Sequence, residues 1–482
     1  MDRSTSSNQP GLPWIEVAPN APYFQTEGGE PWSPIGHNDA ITWPSLIGLY
    51  RRKDLPAVER YLAGLAASGV TCLRLMLEYA QGLHRYLEKP CGTFRPQMVQ
   101  LWDDLFDLCG RHGLRILLTP FDTFWMWKKW GRHPYSRKQG GPCPARGRML
   151  TCPRTREAIK RRLLFATERW GGSGTLFAWD LWNELHPAYG GDSPACFAEL
   201  VEDLSDTVRR REIELYGRSH PQTVSIFGPL LLNRAEREIA ETAFRHPKLD
   251  FHSIHLYENG TIDHPRNTID AAVSVGRLVR EAIVEVLPGR PFFDSEHGPI
   301  HTFKDHRRTL PEPFDDEYFR HIQWAHLASG GAGGGMRWPN RNPHVLTPGM
   351  HAAQKVLASF LPLVDWARFR RRNLNDEIRI EGGACAGFAC GDEKQAVAWV
   401  VRTDSLDRKG MLRKDAETVT PVLTIPGLAE GRYRVTFWDT VEGRVLGSAE
   451  AGKVSCEGLR IALPPLRADV ALSVRRLIDS LG

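Results

Sequence analysis

The stretch Trp179-Asp180-Leu181-Trp182-Asn183-Glu184 decides how this chain is read. An aromatic-rich apolar run stops abruptly at an Asn-Glu pair, and Leu185-His186-Pro187 follows as a loop. A run too short for a helix and bounded by turn residues reads as a buried strand. A second run, Pro291-Phe292-Phe293-Asp294-Ser295-Glu296-His297-Gly298, is built alike and also ends in a carboxylate. Working outward, further short apolar runs fall at 33–38, 71–77, 115–119, 223–227, 251–256 and 334–338, which brings the predicted strands to eight. Between them lie segments with apolar residues at i, i+3 and i+4, at 55–67, 97–112, 154–170, 196–216, 268–286 and 315–328. Strands that alternate with helices pair in parallel, and eight such units predict a closed (β/α)8 TIM barrel. The competing open, doubly wound sheet offers a phosphate-binding turn after its first strand, and no such turn is seen here.

The pattern changes after Asp365. Four arginines at 368, 370, 371 and 372 mark a basic junction, and beyond it the chain alternates at period two. Turn residues such as Pro426-Gly427 and Glu442-Gly443 separate the runs, which predicts an antiparallel β-sandwich. The expected division is an N-terminal arm (1–24), a catalytic barrel (25–366) and a β-sandwich domain (367–482).

A net charge of +5 over 482 residues is too mild to argue for nucleic acid or a membrane surface. Nine cysteines without metal-ligand spacing point to free, mostly buried thiols in a reducing compartment. Met1 to Pro13 is polar and lacks the apolar centre of a signal peptide, so a cytoplasmic location is expected, or secretion if the N-terminus has been trimmed.

Active sites of such barrels sit at the C-terminal ends of the strands. The polar residues expected there are His37 and Asn38 on strand one, Arg74 on strand two, Asn183 and Glu184 on strand four, His255 and Tyr257 on strand six, Glu296 on strand seven and Trp338 on strand eight. Two carboxylates at equivalent strand ends suit acetal cleavage. That reaction needs a proton on the leaving oxygen and a negative charge opposite the developing oxocarbenium ion. Arg74 is expected to lower the pKa of Glu296, whose charge would in turn keep Glu184 protonated. A metal site built from His252, His255, His297 and His301 is disfavoured, because strand one lacks His-x-His; neither metal nor cofactor is expected.

This constellation resembles the retaining β-glycosidases with a (β/α)8 barrel, glycoside hydrolase family 5 above all. The resemblance implies Glu184 as acid/base, Glu296 as nucleophile and Asn183 as the ligand of the sugar 2-hydroxyl. It implies Arg74 as the group that keeps Glu296 ionised, His255 and Tyr257 as orienting groups, and Trp338 as the sugar platform. It further implies an oligosaccharide or polysaccharide substrate of β-mannan or β-glucan type. Asn183-Glu184-Leu185 stands where Asn-Glu-Pro is usual, and Glu296-His297-Gly298 where Glu-Phe-Gly is commoner. The rival readings are a transglycosylase with the same site and a non-catalytic glycan-binding protein on this scaffold. The segment 121–153 is long for a loop and carries seven Lys/Arg against the single acid Asp122, with Trp125, Trp127 and Trp130 among them. It is expected to extend the substrate site.

Overall fold

The computed structural model describes residues 11–186, 193–229, 237–300, 309–453 and 457–477. Three short antiparallel strands come first: β1 (Ile15–Val17), β2 (Phe24–Thr26) and β3 (Pro31–Trp32). The expected arm thus contributes to a small sheet. Its Phe24 ring meets Phe177, Phe251 and Phe293, which plugs the floor of the barrel with aromatic carbon.

The barrel follows. β4 (Gly36–Asp39), β5 (Cys72–Met76), β6 (Arg115–Thr119) and β7 (Leu176–Asp180) pair in parallel, in that order. β8 (Gln222–Thr223) continues from β7, and β9 (Ser225–Phe227) pairs with β10 (His252–Leu256), which pairs with β11 (Phe292–His297). The fifth strand of the sequence reading is therefore two short pieces joined at Val224. The eighth is shorter than expected and consists of parallel bridges at Arg337. It nonetheless closes the ring: the Asn38 N–H donates to the Arg337 carbonyl at 2.9 Å, and the Trp338 N–H donates to that of His297 at 2.8 Å. The glycine run ahead of it permits close backbone approach. Gly333 has φ +70, and a Cβ there would lie 2.1 Å from the Pro34 carbonyl oxygen.

The helices are α1 (Leu55–Ala67), α2 (Pro96–Arg111), α3 (Thr123–Lys128), α4 (Pro153–Trp170), α5 (Pro194–Tyr216), α6 (Arg237–Phe244), α7 (Thr268–Glu285), α8 (Glu312–Ala328) and α9 (Pro348–Phe360), with α3 set at the C-terminal strand ends by its Asp122 cap. Several start where the sequence supplies a cap. Asp54, Ser193, Asn267 and Thr347 each accept a backbone N–H of the first turn, which satisfies donors the helix cannot pair itself. No helix among the described residues is long and apolar enough to cross a membrane. The eight described cysteines are free thiols.

The C-terminal part is a sandwich of antiparallel sheets. One holds β12 (Arg372–Asn373), β14 (Cys385–Gly391), β15 (Gln395–Arg402), β20 (Asp469–Arg476), β17 (Gly431–Trp438) and β18 (Val445–Lys453) in that order. The other holds β13 (Arg379–Glu381), β16 (Val422–Ile425) and β19 (Leu459–Ala462). Alternate residues such as Leu423, Ile425, Val435 and Leu472 fill the space between them. The opposite face of the larger sheet packs on the barrel, and Phe388, Trp399 and Ala471 belong to the same apolar cluster as the barrel strands. Asp469 anchors this seam. Its carboxylate accepts from Arg320 of α8 at 2.7 Å and from the Trp399 indole at 2.9 Å. Asp469→Ala strands the buried Arg320 charge, and should cost about 3–5 kcal/mol in denaturant unfolding. A loss below about 1 kcal/mol would show that the seam does not depend on this pair.

Candidate active site

The polar groups inside the barrel converge on Arg74. An isolated guanidinium is costly to bury, so its partners define the site. From β5 it donates Nη2 to Asp180 at 2.7 Å and Nε to the same oxygen at 3.2 Å. Nη1 reaches Asn38 at 2.8 Å and Glu296 at 3.1 Å. Nη2 also bonds the amide oxygen of Asn183 and, at 3.2 Å, the Ser225 hydroxyl. Strands one, two, four, five and seven thus meet at one cation.

Glu184 follows Asn183 at the tip of strand four. Its φ of +50 lies in the left-handed region, a strained setting for a side-chain residue of a kind that collects at functional sites. Its carboxylate contacts His255 Nδ1 at 2.8 Å, and the same nitrogen lies 3.7 Å from Glu296. One donor atom each from Glu184, His255 and Glu296 falls within 4.8 Å of the others. The Tyr257 hydroxyl donates to Glu296 at 2.7 Å. Both glutamates keep some solvent access, with side chains 21% and 11% exposed, whereas His255 has none.

The electrostatics show how the expected effect of Arg74 competes with burial. Burial pushes the Glu296 carboxyl above the ordinary glutamate value. His255, Arg74 and the Tyr257 hydrogen bond pull it down, while Glu184 adds to the rise. Arg74 acts in the expected direction but does not outweigh burial. His255 is raised: burial opposes its charge, and the neighbouring Glu296 and Glu184 carboxylates overcome that opposition. The Tyr257 phenol is driven well up by burial and by Glu296, so it stays protonated and donates.

His37 does not join this group. Side chains alternate along a strand, so with Asn38 turned inward His37 faces the helical layer, where it meets the Tyr61 hydroxyl of α1 at 3.0 Å. Trp338 lies in a cluster with Trp43, Tyr79 and Met76 and is almost wholly buried. Its ring is 5.1 Å from Trp43 and 5.6 Å from Tyr79, whose phenol in turn feels the charges of Asp122 and Glu296. Of the histidines considered for a metal, His252 turns outward to the Phe244 carbonyl and His297 bonds Asp294 at 2.6 Å. His301 lies outside the described residues. Glu184, His255 and Glu296 could approach a cation, but Arg74 and Tyr257 already engage the Glu296 carboxylate, which fits a site saturated with protein donors.

Three contributors escaped the sequence reading. Asp180, the counter-ion of Arg74, sits inside the quoted stretch. Ser225 bridges Asp180 and Arg74. Asp122 accepts the Asn183 amide at 3.2 Å and caps α3, and burial followed by the Glu184 charge raises it to about 7. The signal for Asp180 was available: an acid within an apolar strand requires a buried cation, and Arg74 stands in another such strand.

No protein-family model and no curated protein matches the chain. Solved structures do. A glycoside hydrolase family 5 structure from Bacteroides vulgatus aligns over 96% of this chain and 95% of its own at 12% identity, with a TM-score of 0.61. A family 5 mannosidase from Rhizomucor miehei, in complex with mannosyl-fructose, aligns over 72% of this chain and 97% of its own at 16% identity, with a TM-score of 0.54. An endo-β-1,4-mannanase from Thermotoga petrophila aligns over 88% and 98% at 14% identity, with a TM-score of 0.50. The chain shares the TIM-barrel fold with these proteins, and its own C-terminal part is β-rich.

Arg74→Lys tests the centre of the site. One ammonium cannot reach Asp180, Asn38, Asn183 and Glu296 together. Each orphaned buried acceptor should cost about 1–3 kcal/mol, read as a lower midpoint in chemical denaturation. An unchanged midpoint would contradict a structural role for the fork.

Proposed function

We propose that this chain is a retaining β-glycoside hydrolase of the family 5 type, with Glu184 as acid/base and Glu296 as nucleophile. The observation that carries this reading is the approach of the two carboxylates to within 4.8 Å at the ends of strands four and seven, with His255 between them. Carboxyls about 5–5.5 Å apart suit double displacement, whereas inversion needs roughly 6.5–9.5 Å to admit a water.

In the proposed reaction the proton for the leaving oxygen is held at the Glu184–His255 pair. Glu296 attacks the anomeric carbon, with Tyr257 and Arg74 fixing its two oxygens. As the glycosidic bond breaks, Glu184 delivers its proton to the departing alcohol, and a covalent glycosyl ester forms on Glu296. Glu184, now ionised, takes a proton from water, which cleaves the ester and restores both groups. Asn183 is held between Arg74 and Asp122, and in this reading its amide would bond the sugar 2-hydroxyl. On the same reading the aromatic cluster of Trp43, Tyr79 and Trp338, whose Tyr79 feels the Glu296 charge, would supply the sugar platform. The mannosidase and mannanase among the structural neighbours make β-mannosides the first substrates to test, with β-glucans next.

Substitution of each glutamate separates the roles. Glu296→Ala should abolish hydrolysis, and azide on the vacated face should yield the α-glycosyl azide from an activated β-glycoside. Glu184→Ala should still form the covalent ester from aryl glycosides with good leaving groups, which need little protonation, and azide should then yield the β-glycosyl azide. Wild-type rates on a natural oligosaccharide in either variant would refute the assignment.

The pH profile gives a second check. Glu296 must be ionised to attack, and its value is raised, so the acid limb of kcat/KM should lie above the ordinary value for glutamate. The Tyr257 hydrogen bond lowers that value, so Tyr257→Phe should shift the acid limb to higher pH. A limb that stays put or moves down would argue against Glu296 as the titrating nucleophile.

A further inference from the structure

The chain after strand three folds into a cationic aromatic ledge on the Glu184 side of the site. Asp122 caps α3 and bonds Asn183, so α3 begins at the catalytic rim. Along α3, Phe124 and Trp127 are 47% and 39% exposed, unusual for large aromatic rings. The Trp127 ring lies 6.0 Å from the His186 ring, two residues beyond Glu184. The Arg146 guanidinium sits 3.9 Å from the Trp127 centroid, and the Lys128 ammonium 5.3 Å from that of Phe124. The segment is otherwise anchored: Tyr135, Cys143, Met149 and Leu150 enter the main core, so the ledge is held in place. Among the described residues, Lys128, Lys129, Arg137, Lys138, Arg146 and Arg148 form no ion pair with a carboxylate.

An acid that protonates the leaving oxygen must stand beside the leaving group. The sugar that departs therefore lies on the strand-four side, where His186 leads to Trp127. We infer that this ledge is a leaving-group subsite for β-linked glycans that carry an anionic substituent, such as a carboxylate, sulfate or phosphate, on the departing sugar. The inference rests on the proposed glycosidase activity and deepens it. An aromatic ring offers the apolar face of a sugar a stacking surface, and cations that carry no carboxylate partner beside it raise the local concentration of an anion. The carboxylates at the centre of the site make such compensation necessary, because they repel an anionic substrate.

The test uses the full-length protein and the β-1,4-linked disaccharide it cleaves among mannobiose, cellobiose and xylobiose. The sugar is supplied in its neutral form and with its reducing end oxidised to the aldonate, which puts a carboxylate on the departing unit alone. Steering should make kcat/KM for the aldonate fall about 3- to 10-fold from low to high ionic strength while the neutral form changes little. In Lys128→Gln/Arg146→Gln the preference for the aldonate at low salt should fall several-fold and its salt dependence flatten. Parallel salt responses of the two forms in the wild type, or an unchanged preference in the double variant, would overturn the inference and leave the glycosidase reading intact. If none of the neutral disaccharides is cleaved and no activated aryl β-glycoside is turned over, the glycosidase reading fails and the subsite with it.

Discussion

The Arg74 guanidinium is the constraint on which the rest of this structure depends. It is fully buried, and a buried charge persists only where partners surround it. Those partners come from strands that are distant in sequence: Asn38, Asp180, Asn183, Ser225 and Glu296. Satisfying the cation thus fixes the register of five strands at their C-terminal ends. Closure of the barrel and assembly of the polar centre are in this sense one event. The floor, by contrast, is closed by rings, with Phe24 against Phe177, Phe251 and Phe293.

The division of Arg74 among its partners shapes the chemistry above it. Asp180 takes two of its three nitrogens, which leaves Nη1 to serve both Asn38 and Glu296. Glu296 is therefore positioned by the cation without being fully neutralised by it. That is why burial still raises Glu296 while His255 and Tyr257 are needed to restrain the rise. In the proposed reaction, a carboxylate locked in a bidentate pair would be a poorer nucleophile than one held by single hydrogen bonds. The same arrangement couples the two glutamates, since His255 faces both and its charge is stabilised by both.

Much of this was legible in the sequence, for reasons that differ by residue. Glu184 and Glu296 stood out because a carboxylate that ends an apolar run has no place in a core and must face a cleft. His255 and Tyr257 share one face by the period of two along their strand, and Arg74 stood out as a charged residue within the apolar run of strand two. His37 was grouped with Asn38 at the end of strand one, but the two side chains point to opposite faces of the strand, His37 to Tyr61 and Asn38 to Arg74. Asp180 was overlooked because it lies inside the strand rather than at its tip. The short eighth strand was read too long, because its apolar residues and glycines describe the path of the backbone without showing how few of its groups pair. The segment 121–153 reads as a loop by composition, yet it folds into α3 and several single helical turns. Its apolar residues, spaced too irregularly to announce an element, dock on the barrel one by one.

The contrast between site and scaffold explains how such a barrel can drift far in sequence. Apolar positions in strands and helices need volume and pattern, and many combinations of Leu, Ile, Val and Phe supply both. The polar centre has no such freedom. Replacing any one partner of Arg74 leaves a buried donor or acceptor unmatched, and the loss exceeds what a neighbouring apolar contact can return. The sandwich adds a second fixed point of the same kind at Asp469, where Arg320 and Trp399 converge. The physical limits on divergence therefore lie in a few buried charges and the strand ends that meet them, while the bulk of the chain is bound only to keep its faces apolar.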